Sequence, residues 1–179
     1  MTLTELPPRI WQELERAVAD RQHSWRTPVL ASVDSEGLPQ ARTLVLRGVD
    51  KASQTLQFFT DSRSPKALQI QHSAQIQLVF WSPALKWQLR VTAMARVETS
   101  GSEVDAAWQR VMQSPARQDY LSPLAPGEVL PNGKHDGLGD AHHLAIISVC
   151  VSHLDWLSLS PAGHQRAEIS KDILRWLTP

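Results

Sequence analysis

Ala41-Arg42-Thr43-Leu44-Val45-Leu46-Arg47 is the stretch whose reading decides the fold. Alternation of side chains along a strand puts Arg42, Leu44 and Leu46 on one face and Thr43, Val45 and Arg47 on the other. Two arginines thus bracket an apolar ladder. A second basic segment follows, Phe58-Phe59-Thr60-Asp61-Ser62-Arg63-Ser64-Pro65-Lys66. There a strand ends at Thr60, a polar turn follows, Ser64 takes a helix N-cap position and Pro65 the first helical position. Lys66 falls in the first helical turn, where a cation is unfavourable unless an anion is bound, and the free backbone N–H groups of that turn attract one. Both segments point to a phosphate.

Outward from these segments the chain reads as mainly β with flanking helices. Ile10, Trp11, Leu14, Ala17 and Val18 recur at helical spacing after a helix start at Thr4 to Pro8, giving an N-terminal helix within 1–26. The period then changes to two. Val29 to Val33 and Gln40 to Val49 form a hairpin around Asp34 to Gly37, and further strands are expected at Thr55 to Thr60, Ala74 to Trp81 and Lys86 to Glu98. A short helix covers 64–72, and helices are expected within 102–122. The segment 123–141 is nearly aperiodic; Pro123 to Asp140 alone holds three prolines and four glycines, and it reads as a loop. Leu144 to Val151 resumes a strand, and Trp156 to Ser160 with His164 to Ile169 make a closing hairpin within 142–179. Six to eight antiparallel strands with few long helices indicate an α+β domain built on a closed or split β-barrel, occupying 1–179 as one unit.

Composition narrows the function classes. Lys plus Arg and Asp plus Glu number 18 each, so no overall field draws nucleic acid or an anionic membrane, and neither is expected as a partner. The apolar run Leu144 to Val151 is too short to span a bilayer, and the N-terminus lacks the features of a signal peptide; the expectation is a cytoplasmic protein. The single cysteine, Cys150, reads as a small buried hydrophobe. A metal hydrolase built on His135, Asp136, Asp140, His142 and His143 is disfavoured, because adjacent histidines on a strand face opposite ways. No Gly-x-Ser-x-Gly elbow supports nucleophilic catalysis.

Five motifs in register resemble the pyridoxamine 5′-phosphate oxidase type of flavoprotein, the FMN-binding split barrels. They are Arg42 to Arg47, Phe59-Thr60, Ser64-Pro65-Lys66, Gln88 between Trp87 and Leu89, and Trp156 with Arg166 ten residues on. The likeness runs well over Pro28 to Glu98, more loosely over His143 to Pro179, and poorly over Thr99 to His142. It implies a split barrel holding FMN at the interface of a homodimer. By resemblance Arg42 and Lys66 hold the phosphate, Ser64 adds a hydroxyl, Phe59 and Thr60 line the site, and the backbone from Thr43 through Leu44 and Val45 to Leu46 follows the ring. Gln88 would donate its amide, while Trp156 and Arg166 would come from the second subunit. Arg47 closes the cofactor-binding segment and, with His164, would face a small-molecule substrate.

Each residue also has a plain structural reading: a surface arginine or lysine, a solvent-facing glutamine, a core tryptophan, an ion-paired Arg47, an exposed turn histidine at His164. The chain departs from the family pattern too. Pro65 stands where a phosphate-binding arginine is usual, leaving Arg63 as its only substitute. No tyrosine, arginine and serine at four-residue spacing occur between Glu103 and Asp119, and Ala162 replaces an arginine before the histidine. These departures argue against pyridoxamine phosphate as substrate. The expected function is an FMN-dependent oxidoreductase exchanging a hydride or electrons with an unidentified small organic molecule, which needs no catalytic side chain. The alternatives are an FMN-binding or sensing module without turnover and, behind it, a true vitamin B6 phosphate oxidase.

Overall fold

The computed structural model describes residues 1–130, 133 and 137–179. Helix α1 spans Leu6–Ala19, and its buried Leu6, Ile10, Trp11, Leu14 and Ala17 lie three or four apart, the spacing that makes one apolar stripe. Glu5, not Thr4, occupies the N-cap position, with prolines tolerated in the first turn because their missing N–H groups have no helical partner. A short 3₁₀ turn, Ser24–Arg26, leads into the strands.

Nine strands appear among the described residues: β1 Val29–Val33, β2 Pro39–Thr43, β3 Leu46–Asp50, β4 Thr55–Asp61, β5 Gln75–Ser82, β6 Trp87–Glu98, β7 Leu144–Ser158, β8 Gln165–Ser170 and β9 Leu174–Leu177. Helix α2 (Pro65–His72) follows β4 and α3 (Ser102–Met112) follows β6, with a 3₁₀ segment at Pro115–Tyr120. All pairings are antiparallel, in the order β2-β1-β5-β6-β7-β4-β3, while β8 joins β7 and β9 joins β8. The strands β2 and β3 stand at opposite ends of that path, yet only Leu44 and Val45 lie between them. Two residues span at most about 10 Å between their neighbours, so the sheet must curl until its ends meet. This is the split barrel.

Several expectations change here. Gln40 to Val49 is not one strand: it pairs with β1 up to Thr43 and with β4 from Leu46. Trp156 to Ser160 is not a separate strand, since β7 runs unbroken for 15 residues and absorbs Ser152 as a register shift against β6 between Thr92 and Ala93. The C-terminal stretch adds β9, so the strand number rises to nine. Cys150 is exposed, because it falls on the outward face of β7 opposite Thr55 and Met94.

The barrel interior holds Leu30, Leu46, Leu56, Phe58, Leu78, Phe80, Leu89 and Val91, all fully buried. Trp25, Trp87 and Trp156 extend it as a chain of rings, with centroids 6.3 Å apart for Trp25–Trp87 and 5.1 Å for Trp87–Trp156, the latter edge to face. A second cluster sits outside the sheet, where Val104, Ala107 and Val111 of α3 meet Tyr120, Leu144 and Ile146. No described helix is long and apolar enough to cross a membrane.

Trp156 is fully buried and opposes Leu89 across the strands. Replacing it with alanine should therefore destabilise the protein by about 3–5 kcal/mol, the usual cost of emptying a large aromatic site. Chemical denaturation monitored by circular dichroism measures this; an unchanged midpoint would contradict the core assignment.

Candidate functional site

The sequence-expected residues fall into two groups that one copy of the chain keeps apart. The first gathers around the start of α2. Ser64 caps the helix, its hydroxyl accepting from the Ala67 N–H and lying 3.0 Å from the Thr60 hydroxyl. Lys66 Nζ donates to Thr60 Oγ1 at 3.2 Å. Thr60 and Ser64 are buried because β4 ends inside the barrel wall and the turn folds back under α2.

Arg42 arrives from β2. It opposes the core residue Leu30, so its side chain starts on the inner face of the sheet and runs to α2. Its guanidinium donates to Ser32 Oγ at 2.6 Å and to Gln69 Oε1 at 2.8 Å, and Ser32 also donates to Gln69 at 2.7 Å. Gln69 is three residues beyond Lys66 and hence on the same side of the helix. Burial pushes the pKa of Arg42 down; burial first, then the Arg42 charge, push that of Lys66 down. Among the described residues neither cation has a carboxylate within 4.0 Å, and the nearby Asp61 is engaged by Arg63 at 2.7 Å. Two half-buried, mutually repelling cations at a helix N-terminus form a place that a phosphate dianion fits, since it would supply the missing charge and accept from Ser64 and the amides.

Thr43 is exposed, Leu44 and Leu46 are buried and Val45 is half-buried, so the barrel is closed here by backbone whose side chains are already committed. The Leu44 N–H donates to the Pro28 carbonyl at 3.0 Å. Arg47 emerges on the outer face, its guanidinium carbon 5.7 Å from the centre of the Phe59 ring. Its charge also reaches Tyr120, whose phenol burial pushes up in pKa and Arg47 draws down. Tyr120 has no motif around it in the sequence: it lies at the end of the 3₁₀ segment, and what places it is packing against α3 and β7. It is the only tyrosine in the chain and nearly buried.

The second group lies on the outer face of β5 to β8. Trp81, Gln88, Leu157 and Arg166 oppose one another in a single row across four strands. Gln88 is half-buried and Trp81 exposed. Arg166 is ion-paired: it donates through Nε to Asp155 Oδ1 at 3.0 Å and through Nη2 to Oδ2 at 2.7 Å. Arg90 binds the same carboxylate. Burial opposes ionisation of Asp155, but the hydrogen bonds from Arg166 and Arg90 outweigh it and hold the carboxyl below its usual range. His164 is exposed in the turn before β8. Trp156 belongs to neither group, being enclosed between Trp87 and Trp176, and offers no face to a cofactor. Arg63 does not substitute for the missing phosphate arginine, since Asp61 and loop carbonyls take its guanidinium. Arg42 and Arg166 are five strand spacings apart, about 24 Å along the sheet, and on opposite faces.

His142 stacks on Trp108 with ring centres 4.3 Å apart, and its Nδ1 accepts from the Leu144 N–H. His135 and Asp136 lie outside the described residues. No group of three or more potential ligands converges among the described residues.

Residues 8–99, more than half of the chain, match the family model for the pyridoxamine 5′-phosphate oxidase FMN-binding domain. The chain belongs to that family, and its cofactor is FMN. It is 40% identical over 79 residues to a pyridoxine/pyridoxamine 5′-phosphate oxidase of Chromohalobacter salexigens, covering 44% of this chain and 35% of that one. With the same-named protein of Pseudomonas putida it shares 42% over 81 residues, covering 45% and 36%. The chain thus spans only about a third of the length of the curated relatives it matches. Among solved structures, a pyridoxamine 5′-phosphate oxidase-related FMN-binding protein from Nostoc punctiforme superposes with a TM-score of 0.75 at 24% identity, over 96% of both chains. PhzG from Burkholderia lata, solved with tetrahydrophenazine-1-carboxylic acid, gives 0.76 at 16% identity over 96% and 91%. These likenesses establish the fold.

The Asp155 clamp has a pH signature. A carboxyl depressed in the folded state contributes stability above its unfolded pKa and loses it as pH falls through the folded one. Asp155→Asn should cost about 1 kcal/mol at neutral pH, after screening of its part-exposed arginine partners. The gap to wild type should close as the pH drops below the ordinary carboxylate range; denaturation at a series of pH values checks this, and a pH-independent gap would contradict the clamp.

Proposed function

We propose that this protein is an FMN-dependent oxidoreductase that works as a homodimer, with the phosphate of FMN held by one copy and its ring end completed by the other. The pair of cations without a carboxylate, Arg42 and Lys66, carries this reading. In it Arg42, Lys66, Ser64 and Thr60 hold the phosphate, while the backbone from Thr43 to Leu46 and the Phe59 side of β4 border the rest of the cofactor. FMN, when bound, supplies two-electron chemistry to a small organic substrate. The protein supplies position and charge.

The separation of the two groups supports the second copy. Gln88 and Arg166 lie on the outer face of the sheet, whereas Arg42 starts from its inner face and runs to α2, so the two groups do not face one another within a single chain. From a partner copy, the Gln88 amide would donate to the ring and the Arg166 guanidinium would place positive charge near its pyrimidine edge. Asp155 fixes that guanidinium in orientation. Trp81, exposed beside Gln88, takes the aromatic place that Trp156 vacates by joining the core. Arg47, Tyr120 and His164 are the groups left to face substrate. Without a tyrosine, arginine and serine at four-residue spacing, and with Ala162 before the histidine, a vitamin B6 phosphate is not the substrate favoured.

Arg42→Ala should weaken FMN binding by about 1.5–3 kcal/mol, the scale of a charge-assisted hydrogen bond. Arg166→Ala should weaken it as well, with the dimer intact by sedimentation. Fluorescence titration reads both, and wild-type affinity in Arg42→Ala would sink the phosphate assignment. Electron exchange is tested by anaerobic addition of reductants: bound flavin that bleaches and recovers in air supports an enzyme, and flavin inert to every reductant supports a module without turnover.

A further inference from the structure

One guanidinium joins the turn before α2 to a segment some sixty residues away. Asp61, 5% exposed at the end of β4, accepts from the Arg63 backbone N–H at 2.8 Å, from Nε at 3.1 Å and from Nη2 at 2.7 Å. The same Nη2 also reaches the carbonyls of Ser122 at 2.9 Å and Leu124 at 3.2 Å, and Nη1 donates to that of Pro123 between them at 3.2 Å. The Ser122 hydroxyl donates to the Leu124 carbonyl at 2.9 Å and accepts from the Leu124 N–H at 3.2 Å. That local curl is what turns consecutive carbonyls towards one point.

A planar fork of five N–H donors suits such a set; a lysine ammonium, compact and with three donors, does not. The pairing with Asp61 raises the pKa of Arg63, so its charge is permanent. Further along, Gly127 packs on the first turn of α2, where a Cβ on it would come within 3.7 Å of the Pro65 ring. The Ser62 N–H donates to the His143 carbonyl at 2.8 Å on the far side of the turn. The turn that presents Ser64 and Lys66 is therefore held from outside the barrel as well as by its own cap.

We propose that Arg63 is a positioning residue for the phosphate site: by bonding Asp61 and the Ser122–Leu124 backbone together, it fixes Ser64 and Lys66 relative to Arg42 and sets how fast FMN leaves. This rests on the reading that Arg42, Ser64 and Lys66 hold the FMN phosphate. Arg63 itself touches no cofactor in this account. Its loss loosens the geometry of groups that do, which shortens the lifetime of the bound state more than it slows encounter.

The test compares wild type, Arg63→Ala and Arg63→Lys by stopped-flow FMN fluorescence, limited proteolysis across 122–130 and circular dichroism. In Arg63→Ala the dissociation rate should rise about tenfold, one charge-assisted hydrogen bond's worth. The association rate should stay within a factor of about two, and cleavage in 122–130 should accelerate while the far-ultraviolet spectrum is kept. Arg63→Lys should restore little, because charge without the fork does not bridge the two sides. Faster cleavage with unchanged FMN dissociation would overturn the coupling, and unchanged cleavage would overturn the tether. If Arg63→Ala fails to fold, Asp61→Asn weakens only the anchor and should shift dissociation the same way by a smaller factor; no shift overturns the proposal. Wild type that binds no FMN would instead overturn the underlying reading of the site, and the proposal with it.

Discussion

Leu44 and Val45 carry the chain from one end of the sheet to the other, and the rest of the structure depends on that step. Because β2 and β3 end the strand path, the two-residue link forces the sheet to close on itself. It also fixes which way the flanking arginines point. Arg42, still paired with β1, starts from the inner face and reaches α2; Arg47, at the irregular start of β3, turns outward over Phe59. One local event thus sends one cation inward to α2 and the other outward over Phe59. Apolar burial of Leu44 and Leu46 keeps the step in place.

Charge is distributed by the same logic. Several buried or half-buried acids have cations of their own: Arg166 and Arg90 share Asp155, Arg63 has Asp61, and Arg175 has Glu168. Such pairs satisfy one another and ask for no ligand. Arg42 and Lys66 differ, being part-buried, adjacent and provided only with neutral partners. A fold that spends burial on two like charges without an acid leaves a place for an external anion.

The group at the start of α2 was legible in the sequence because its parts are local: Ser64, Pro65 and Lys66 fall within one helical turn and carry their own capping chemistry. The strands β5 and β6 were equally plain, since each alternates buried and open residues along a half-covered sheet. What stayed hidden had no local signal. The alternation of Arg42, Leu44 and Leu46 continues through the change of partner, so period alone reads one strand where there are two. Ser152 shifts the register of β7 without any glycine or proline to mark it. Trp156 suits a core and a flavin equally by residue type, and only the enclosing Trp87 and Trp176 decide between them. Cys150 sits in an apolar run that reads as wholly buried, although its outward face is open at that position. The contacts of Arg63 reach backbone carbonyls sixty residues on, which no side-chain pattern announces.

In the proposed site the phosphate anchors the cofactor, and the comparison of FMN with riboflavin isolates that contact, since the two differ only by the phosphoryl group. Titration of the purified protein with each, at the same salt concentration, should give FMN an affinity higher by roughly 10²–10⁴, the combined worth of two charge-assisted contacts. Equal affinities would mean that Arg42 and Lys66 do not hold the phosphate, and would contradict the site as described.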